Sequence, residues 1–296
     1  MDPTGTCADS DIFKMQKEMK TYPRVLAIAG SDSGGGAGIQ ADIKAISATG
    51  SYAATAITAV TVQNTLGVQA IHDVPADIVR AQIEAVLGDI GADAVKIGML
   101  SSAHLVGTVA ATLRENGIDN IVLDPVMVST SGHKLLCDDA IELLSCDLAP
   151  LCRVITPNLP EAQLLLGEEI ASQDDFPEAA RRLSAKLSGP SRKLSVLLKA
   201  GHLDGDIVDD CLYDAEADTV VHLPSRRIDT PNTHGTGCTL SSAFASFLAQ
   251  GFGLADAAAR AAHYIAGAIA SGAEYSIGHG HGPVDHFWAM RKDRNV

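Results

Sequence analysis

The sequence predicts an α/β fold with a mainly parallel central sheet flanked by helices on both faces. The main observation is that short apolar runs alternate with helical patterns of about 10–15 residues, an order typical of β-α-β units. Two further observations concern the whole chain: no break in composition separates two halves, and no repeat of fixed period recurs. We therefore expect a single domain over residues 23–296, preceded by a flexible extension over residues 1–22.

Apolar runs bounded by glycine, proline or polar residues define the predicted strands. The first, RVLAIA, ends at Gly30. By this criterion, strands are expected at residues 24–29, 52–62, 94–97, 121–123, 154–155 and 195–198, with a hairpin over residues 210–223. Apolar residues at helical spacing predict helices at residues 39–48, 76–87, 104–114, 139–144, 177–187, 239–250 and 255–271, and one that starts near Leu159.

Charge and composition exclude several classes of function. The chain has 36 acidic and 22 basic side chains and a net charge of -14, which argues against the phosphate neutralisation that nucleic-acid binding requires. The six cysteines show no Cys-x-x-Cys spacing, so we expect reduced thiols in a cytoplasm rather than a zinc site. Residues 1–22 lack the apolar core of a secretory signal, and Asp256 and Arg260 interrupt the most apolar stretch, so no membrane span is expected.

Several informative residues directly follow predicted strands, where parallel sheets bind their ligands. They lie in segment 30–38, at Gln63 and Met99, in segment 124–126 and at Asn158. The first segment, GSDSGGGAG, lacks the Lys-Ser/Thr pair of a P-loop and fails the G-x-G-x-x-G spacing of dinucleotide sites in every register. It contains more glycine than a tight turn needs, which favours close contact between the backbone and a ligand.

A second glycine cluster, NTHGTGCT at residues 232–239, opens a predicted helix. The unpaired N–H groups and the dipole of such a helix start bind phosphate and stabilise the charge of phosphoryl transfer. The alternative is a plain capping motif with Thr236 as N-cap, but capping does not call for Gly235 and Gly237 on both sides. The same N–H groups are expected to lower the pKa of the Cys238 thiol from about 8.5 and favour the thiolate.

Polar residues also follow the later strands. Asn158 and Glu161 lie one helical turn apart, a spacing that can hold hydrated Mg²⁺ near nucleotide phosphates and that also fits a capping box. Asp124, directly after a strand, is a second candidate Mg²⁺ ligand. Lys199, at the end of an apolar strand, either screens phosphate charge or is a solvated strand-end lysine, and the sequence favours neither.

Taken together, these segments resemble the hydroxymethylpyrimidine kinase / phosphomethylpyrimidine kinase family of thiamin synthesis, a branch of the ribokinase superfamily. The resemblance covers residues 25–288 and rests on the ordered segments AIAGSDSGGGAGIQADIK, TAVTVQNT, VKIGML, LDPVM, ITPNLPEA, NTHGTGCTLSSA and GHGHGPVDHF. It implies a mainly parallel sheet flanked by helices and a homodimer. It also implies that MgATP phosphorylates 4-amino-5-hydroxymethyl-2-methylpyrimidine and then its monophosphate.

The resemblance also implies roles for individual residues. It implies that the pyrimidine pocket is lined by Gly30, Asp32, Ala37, Gln63, Met99 and Val126. It places Asn158, Lys199 and Thr236 on the MgATP side, with Glu161 acting on Mg²⁺ through water. Gly235, Gly237 and Cys238 are expected to form the anion hole and its base, with Cys238 where most ribokinase-like enzymes carry aspartate. Two segments depart from the family pattern: Ala200 replaces a second glycine, and residues 129–133 form an individual lid sequence.

Two other functions remain open at this point. One is a pyridoxal kinase of the same superfamily. Pyridoxal kinases that carry the glycine-flanked cysteine resemble chains with a second cysteine just after the Asp-Pro-Val-Met segment, where this chain has Ser129. The amide of Gln63 also suits an aminopyrimidine edge better than a pyridoxal ring. The other is a non-catalytic protein that binds thiamin precursors, against which the joint presence of Asn158, Glu161, Lys199 and Cys238 argues.

Overall fold

A nine-stranded mixed sheet lies at the centre of the computed structural model, which describes residues 20–127, 136–201, 203 and 205–291. In chain order the strands are β1 (Arg24–Asp32), β2 (Tyr52–Asn64), β3 (Gly67–Asp73), β4 (Ala94–Ile97), β5 (Ile121–Leu123), β6 (Val154–Ile155), β7 (Ser195–Leu198), β8 (Ile207–Asp214) and β9 (Thr219–Arg226). They lie side by side in the order β3-β2-β1-β4-β5-β6-β7-β8-β9. The six central strands β2, β1, β4, β5, β6 and β7 are parallel. Strand β3 at one edge, and β8 and β9 at the other, join through antiparallel pairs.

Helices cover both faces of this sheet. They are α1 (Gly38–Ala48), α2 (Ala76–Asp89), α3 (Ala103–Asn116), α4 (Asp138–Leu143), α5 (Leu159–Leu166), α6 (Phe176–Leu187), α7 (Thr236–Ala249) and α8 (Leu254–Gly272). Residues of α1, α7 and α8 form one hydrophobic cluster with the sheet, and residues of α2 to α6 form the other. Strand β1 supplies both clusters because successive side chains point to opposite faces: Leu26 and Ile28 join one, Val25 and Ala27 the other.

The fold class predicted from the sequence is confirmed, and every predicted strand and helix has a counterpart. Strand β3 was missed because this edge strand is mostly exposed and carries no apolar alternation. The helical turns that continue α4, Leu144–Leu148 and Ala149–Leu151, were also missed. Residues 1–19 of the expected extension and the lid sequence at residues 129–133 lie outside the described residues.

The strand order brings the carboxyl ends of the parallel strands to one edge of the sheet. The chain leaves β1 toward β2 on one side and returns to β4 on the other, so a switch point lies beside β1. The C-terminal segment closes over this region, where His234 N–H donates to Gly282 O (3.0 Å) and Asp285 N–H to Ala268 O (3.0 Å). Among the described residues, no helix has both the length and the apolar character that crossing a bilayer requires.

Candidate active site

One cleft of about 700 Å³ lies at the carboxyl edge of the sheet. Its volume is typical of small-molecule sites. Every residue that the sequence analysis singled out for a role lines it: Gly30, Asp32, Ala37, Gln63, Met99, Asp124, Val126, Asn158, Glu161, Lys199, Gly235, Thr236, Gly237 and Cys238. These residues come from the ends of six strands and the start of α7, so the sheet topology is what brings them together.

The glycine-rich loop between β1 and α1 is organised by the carboxylate of Asp32. Its oxygens accept backbone N–H bonds from Gly34 (2.8 Å), Gly36 (3.0 Å) and Ala37 (2.8 Å). Burial would raise the pKa of Asp32, but the bond from His234 and the backbone donors hold this pKa below its usual range. Asp32 therefore shapes the loop that lines the cleft, because its carboxylate is already occupied by the protein's own donors.

His234 connects this loop to β2. Its Nε2 lies 2.9 Å from Asp32 Oδ2 and 3.3 Å from the amide nitrogen of Gln63. At the other end of the amide, Thr61 Oγ1 lies 3.1 Å from Gln63 Oε1. The amide is thus held in a defined position at the cleft wall. The sequence analysis missed His234; its place beside the glycines of NTHGTGCT was the available signal.

The two glycine clusters pack directly against each other. Gly235 has a φ of 80°, and a Cβ at this position would overlap the carbonyl oxygen of Gly36. A Cβ on Gly36 would in turn overlap the ring of His234. Loop-on-loop packing therefore requires glycine at both positions. The surplus of glycine, which predicted a ligand contact, has this structural cause in part.

Helix α7 begins at Thr236 with Gly235 as its N-cap, one residue before the N-cap of the capping alternative. The N–H of Thr236 bonds back to Thr233 O (3.3 Å), and intrahelical bonding starts from Thr239 N–H to Gly235 O (2.9 Å). The N–H groups of Gly237 and Cys238 precede this ladder, and both residues line the cleft. The structure thus has the helix start that the sequence predicts at this place, and such a start is a geometry suited to anions.

The expectation of a thiolate at Cys238 is wrong for the resting site. Burial, the largest effect, raises the pKa of the Cys238 thiol to about 11, and the carboxylates of Asp42 and Asp124 also raise it. Lys96 and the backbone N–H of Gly38 lower this pKa without outweighing burial. The sulfur is therefore protonated at neutral pH, and the helix start alone does not ionise it.

Lys199 is a paired lysine whose side chain is only 13% exposed, so the alternative of a solvated strand end is wrong. Its Nζ lies 3.0 Å from Asp124 Oδ1, and Asp124 also accepts bonds from Thr156 (3.2 Å) and Ser241 (3.3 Å). Burial would lower the pKa of Lys199, but Asp124 and Glu161 raise it above its usual value. A Cβ added to Gly237 would lie 3.3 Å from this Nζ, so the ammonium lies next to the start of α7.

Asn158 and Glu161 form the capping box, so that alternative is confirmed. Asn158 Oδ1 accepts from Glu161 N–H (2.9 Å), and Glu161 Oε2 accepts from Asn158 N–H (2.8 Å). Glu161 is 5% exposed, and burial raises the pKa of its carboxyl to about 7. Across the described ranges, no group of three or more His, Cys, Asp or Glu side chains could hold a metal by itself.

This donor set still fits Mg²⁺. The ion commonly keeps several waters and uses one or two carboxylates together with substrate phosphates. The single buried carboxylate of Glu161, in the same cleft as the start of α7, therefore matches what Mg²⁺ bound to nucleotide phosphates needs. Asp124 is the poorer candidate of the two, because Lys199 already neutralises its charge.

An apolar wall on the far side of Lys199 was missed by the sequence analysis. Side chains from β8, β9, the segment after β9, α7 and α8 form it: Val208, Leu223, Ile228, Leu240, Ile265 and Ile269. Leu223, Leu240, Ile265 and Ile269 belong to elements that were predicted, but periodicity assigns them only to a core. Val208 and Ile228 lie outside the predicted hairpin, which was expected at residues 210–223. Their position at the cleft became visible only from the packing of α8 against the β8–β9 hairpin.

Comparisons with known proteins agree with this geometry. A family model described as phosphomethylpyrimidine kinase matches residues 32–285. The hydroxymethylpyrimidine/phosphomethylpyrimidine kinase of Rhizobium meliloti (strain 1021) is 50% identical over 268 residues, which cover 90% of this chain and 98% of that protein.

Two solved structures show the same fold. The phosphomethylpyrimidine kinase (thiD) of Clostridium difficile 630 is 42% identical, with a TM-score of 0.70, over 82% of this chain and 97% of that one. The ADP complex of Bacillus subtilis pyridoxal kinase is 37% identical, with a TM-score of 0.82, over 92% and 100% of the two chains. Backbone similarity alone does not separate the two kinds of kinase, whereas sequence identity and the family match do. The chain belongs to the phosphomethylpyrimidine kinase family.

Proposed function

We propose that the chain transfers the γ-phosphoryl group of ATP to the hydroxyl of 4-amino-5-hydroxymethyl-2-methylpyrimidine and then phosphorylates the resulting monophosphate. The observation that carries this proposal is that the amide of Gln63, the first turn of α7 and the ammonium of Lys199 line one cleft. Phosphoryl transfer depends mainly on positioning and charge stabilisation, which is what these parts can supply.

The pyrimidine is proposed to bind beside β1, β2 and the segment after β4. Gly30, Met99 and Val126 offer an apolar surface, and the amide of Gln63 offers a donor and an acceptor to an aminopyrimidine edge. Because His234 and Thr61 hold that amide, its orientation costs the bound complex little further entropy. In this arrangement Asp32 and Ala37 act by shaping the loop.

ATP is proposed to bind on the other side of Lys199. The apolar wall described above suits a nucleobase, and Lys199, Asn158 and Thr236 line the same cleft as that wall. Glu161 is proposed to hold Mg²⁺ through water, where the ion would neutralise charge on the phosphates. Asp124 is proposed to fix Lys199 rather than to bind the metal.

Cys238 is proposed to accept the hydroxyl proton in the first reaction. The hydroxymethyl oxygen forms a bond to the γ-phosphorus, the bond from that phosphorus to the ADP oxygen breaks, and the hydroxyl proton moves to the sulfur. Only the thiolate can take this proton, and with a pKa of about 11 it is a small fraction at neutral pH. The first reaction should therefore speed up as the pH rises above neutral.

The second reaction has a different requirement. Its nucleophile is a phosphate oxygen, which is already ionised near neutral pH because the second pKa of a phosphate monoester is about 6. No hydroxyl proton has to be removed, so Cys238 is not needed as a base in that step. The N–H groups of Gly237 and Cys238 stabilise the transferred group in both reactions.

The proposed substrate is tested by comparing kcat/KM for the pyrimidine alcohol and for pyridoxal with the same enzyme and MgATP. The proposal expects a clear preference for the pyrimidine. A preference for pyridoxal would instead support the second candidate function, which the structural similarity to the Bacillus subtilis enzyme favours. Phosphorylation of neither compound would leave the non-catalytic alternative.

A homodimer in the cytoplasm is proposed as the working form. Exposed apolar side chains occur on one face of β2 and in the turn to β3: Val60, Val62 and Leu66. Such a patch is typical of an interaction surface. The five cysteines in the described part of the chain are free, which supports a reducing compartment.

A further inference from the structure

A fully buried ion pair lies close to the sulfur of Cys238, and the proposed mechanism does not use it. Lys96 interrupts the otherwise apolar strand β4, and its side chain is 0% exposed. Its Nζ lies 2.7 Å from Oδ1 of Asp42, whose side chain is equally buried. Ser242 Oγ donates to the same carboxylate oxygen at 2.7 Å.

Helix register places this pair one turn from the sulfur. Gly38, the first residue of α1, and Cys238, near the start of α7, line the same cleft. Asp42 lies four residues after Gly38, and Ser242 lies four residues after Cys238, so their contact is the next rung between the two helices. Helices α1 and α7 therefore pack side by side, with both N-termini at the cleft.

Stability alone does not explain why such a pair is kept. A buried ion pair loses much of its attraction to desolvation, and apolar replacements are often as stable. Among the buried atoms of the described residues, Asp42 Oδ2 is one of those without a hydrogen-bond partner, which adds a further cost. The presence of such a pair beside the proposed base, Cys238, points to an electrostatic role.

The charges around Cys238 come from four elements. Lys96 on β4 and Lys199 after β7 are cations, and Asp42 on α1 and Asp124 after β5 are anions. Lys96 acts more strongly on the thiol than Asp42 does, and in the opposite direction. The pair as a whole therefore favours ionisation of the sulfur, because the cation outweighs its own partner.

We propose that Lys96 is a positioning residue that serves as the counter-ion of the Cys238 thiolate, and that Asp42 limits its effect. On ionisation the thiol gives its proton to solvent, and Lys96 stays protonated. This proposal rests on the proposed role of Cys238 as the base. It concerns the ionisation of the sulfur, which can be measured without turnover.

The test is the rate at which iodoacetamide alkylates Cys238 between pH 6.5 and 10, followed by mass spectrometry of the cysteine-containing peptides. The exposed Cys137 and Cys146 serve as internal references. Lys96→Met should slow alkylation of Cys238 by about 10-fold or more at pH 8, since one pKa unit changes the thiolate fraction tenfold. Asp42→Asn should accelerate it, because Lys96 then has the sulfur as its main partner.

Opposite signs in these two variants are the result expected from a counter-ion, whereas damage to the fold would shift both in one direction. The double variant Lys96→Met/Asp42→Asn removes both charges and should still be slower than wild type, which keeps the test decisive if a single variant does not fold. Ser242→Ala is the matched control that loses a buried contact without changing a charge. An unchanged rate in Lys96→Met and in the double variant would overturn the proposal.

The counter-ion proposal and the proposed role of Cys238 as base can be tested independently of each other. If Cys238→Ala kept full turnover on the pyrimidine alcohol while Lys96→Met slowed alkylation, the counter-ion would stand and the base would not. If both hold, Lys96→Met should lower kcat for the hydroxyl substrate much more than kcat for the monophosphate. Equal losses on both substrates would count against the counter-ion role.

Discussion

In the proposed function, side chains in the cleft divide between those that would face a ligand and those that hold another part of the protein. Gln63 and Glu161 belong to the first group and can be tested by single substitutions. Asp32, Asp124 and His234 belong to the second, since they hold the glycine-rich loop, Lys199 and the amide of Gln63, respectively. The sequence identified Asp32 and Asp124 as important positions but could not assign them to this group, because the assignment depends on hydrogen bonds between distant segments.

Gln63→Met is expected to lower kcat/KM for the pyrimidine alcohol much more than for pyridoxal. The amide can donate to a ring nitrogen and accept from the exocyclic amine, and methionine of similar length can do neither. Leaving a buried polar group unpaired costs about 1–3 kcal/mol, or about 5–150-fold. The measurement is the ratio of the two constants in wild type and variant. An unchanged ratio would place specificity elsewhere, with the segment at residues 129–133 next to be tested.

Glu161→Gln is expected to raise the Mg²⁺ concentration needed for half-maximal activity and to leave pyrimidine binding nearly intact. Glutamine keeps the capping box, so α5 should still start at the same place. In wild type the Mg²⁺ requirement should rise as the pH falls below about 7, because protonation of Glu161 competes with the ion. Glu178→Gln, on exposed α6 away from the cleft, is the control. If the Mg²⁺ titration did not move, Glu161 would be a capping residue only.

At the scale of elements, the sequence predicts the buried parts of the sheet well and its edges poorly. Strands β4 to β7 are covered on both faces and appear as apolar runs, which only Lys96 in β4 interrupts with a charge. Strand β3 pairs on only one side and is mostly exposed, so its sequence carries no such signal. Lys96 was missed because a single charge within an apolar strand does not by itself indicate a role. Its partner, Asp42 on α1, is identified only by the packing of the helix on the sheet.

Element β2–β3 gives the prediction for the oligomer. Val62→Glu places a charge in the exposed apolar patch and should convert a dimer to a monomer, seen by light scattering coupled to size-exclusion chromatography. Ile78→Glu, an equally exposed apolar position on α2, should leave the mass unchanged. Persistence of the dimer in Val62→Glu would mean that the subunits meet through another surface.

At the scale of the whole molecule, the C-terminal segment packs against α7 and α8 next to the cleft. Its carbonyl at His286 accepts from the Tyr264 hydroxyl at 2.7 Å, and its imidazole lies 3.0 Å from Thr239 on α7. The sequence analysis included His286 in the family segment GHGHGPVDHF but gave no physical reason for a histidine there. That reason is visible only when α7, α8 and the end of the chain pack together.

Burial of His286 predicts a pH dependence of stability. Burial lowers the pKa of this imidazole from 6.5 to about 4, so between these values the unfolded chain binds a proton that the folded chain does not. The free energy of unfolding should therefore fall as the pH drops from 6.5 toward 4, by at most about 3 kcal/mol from this residue. Guanidinium unfolding at pH 7.5 and 5 should show a smaller loss in His286→Gln than in wild type. Exposed His104→Gln should lose as much as wild type, and equal losses in all three proteins would refute the assignment.

The most direct test of the two-step function is a time-resolved mass measurement of the products formed with MgATP. Wild type should convert the pyrimidine alcohol to the monophosphate and then to the diphosphate. Cys238→Ala should be slowed about 10²–10⁴-fold from the alcohol, the usual loss for a removed base, and far less when it starts from the monophosphate. Formation of both products at wild-type rates by Cys238→Ala would contradict the mechanism. The absence of any phosphorylated pyrimidine with the wild-type protein would contradict the function.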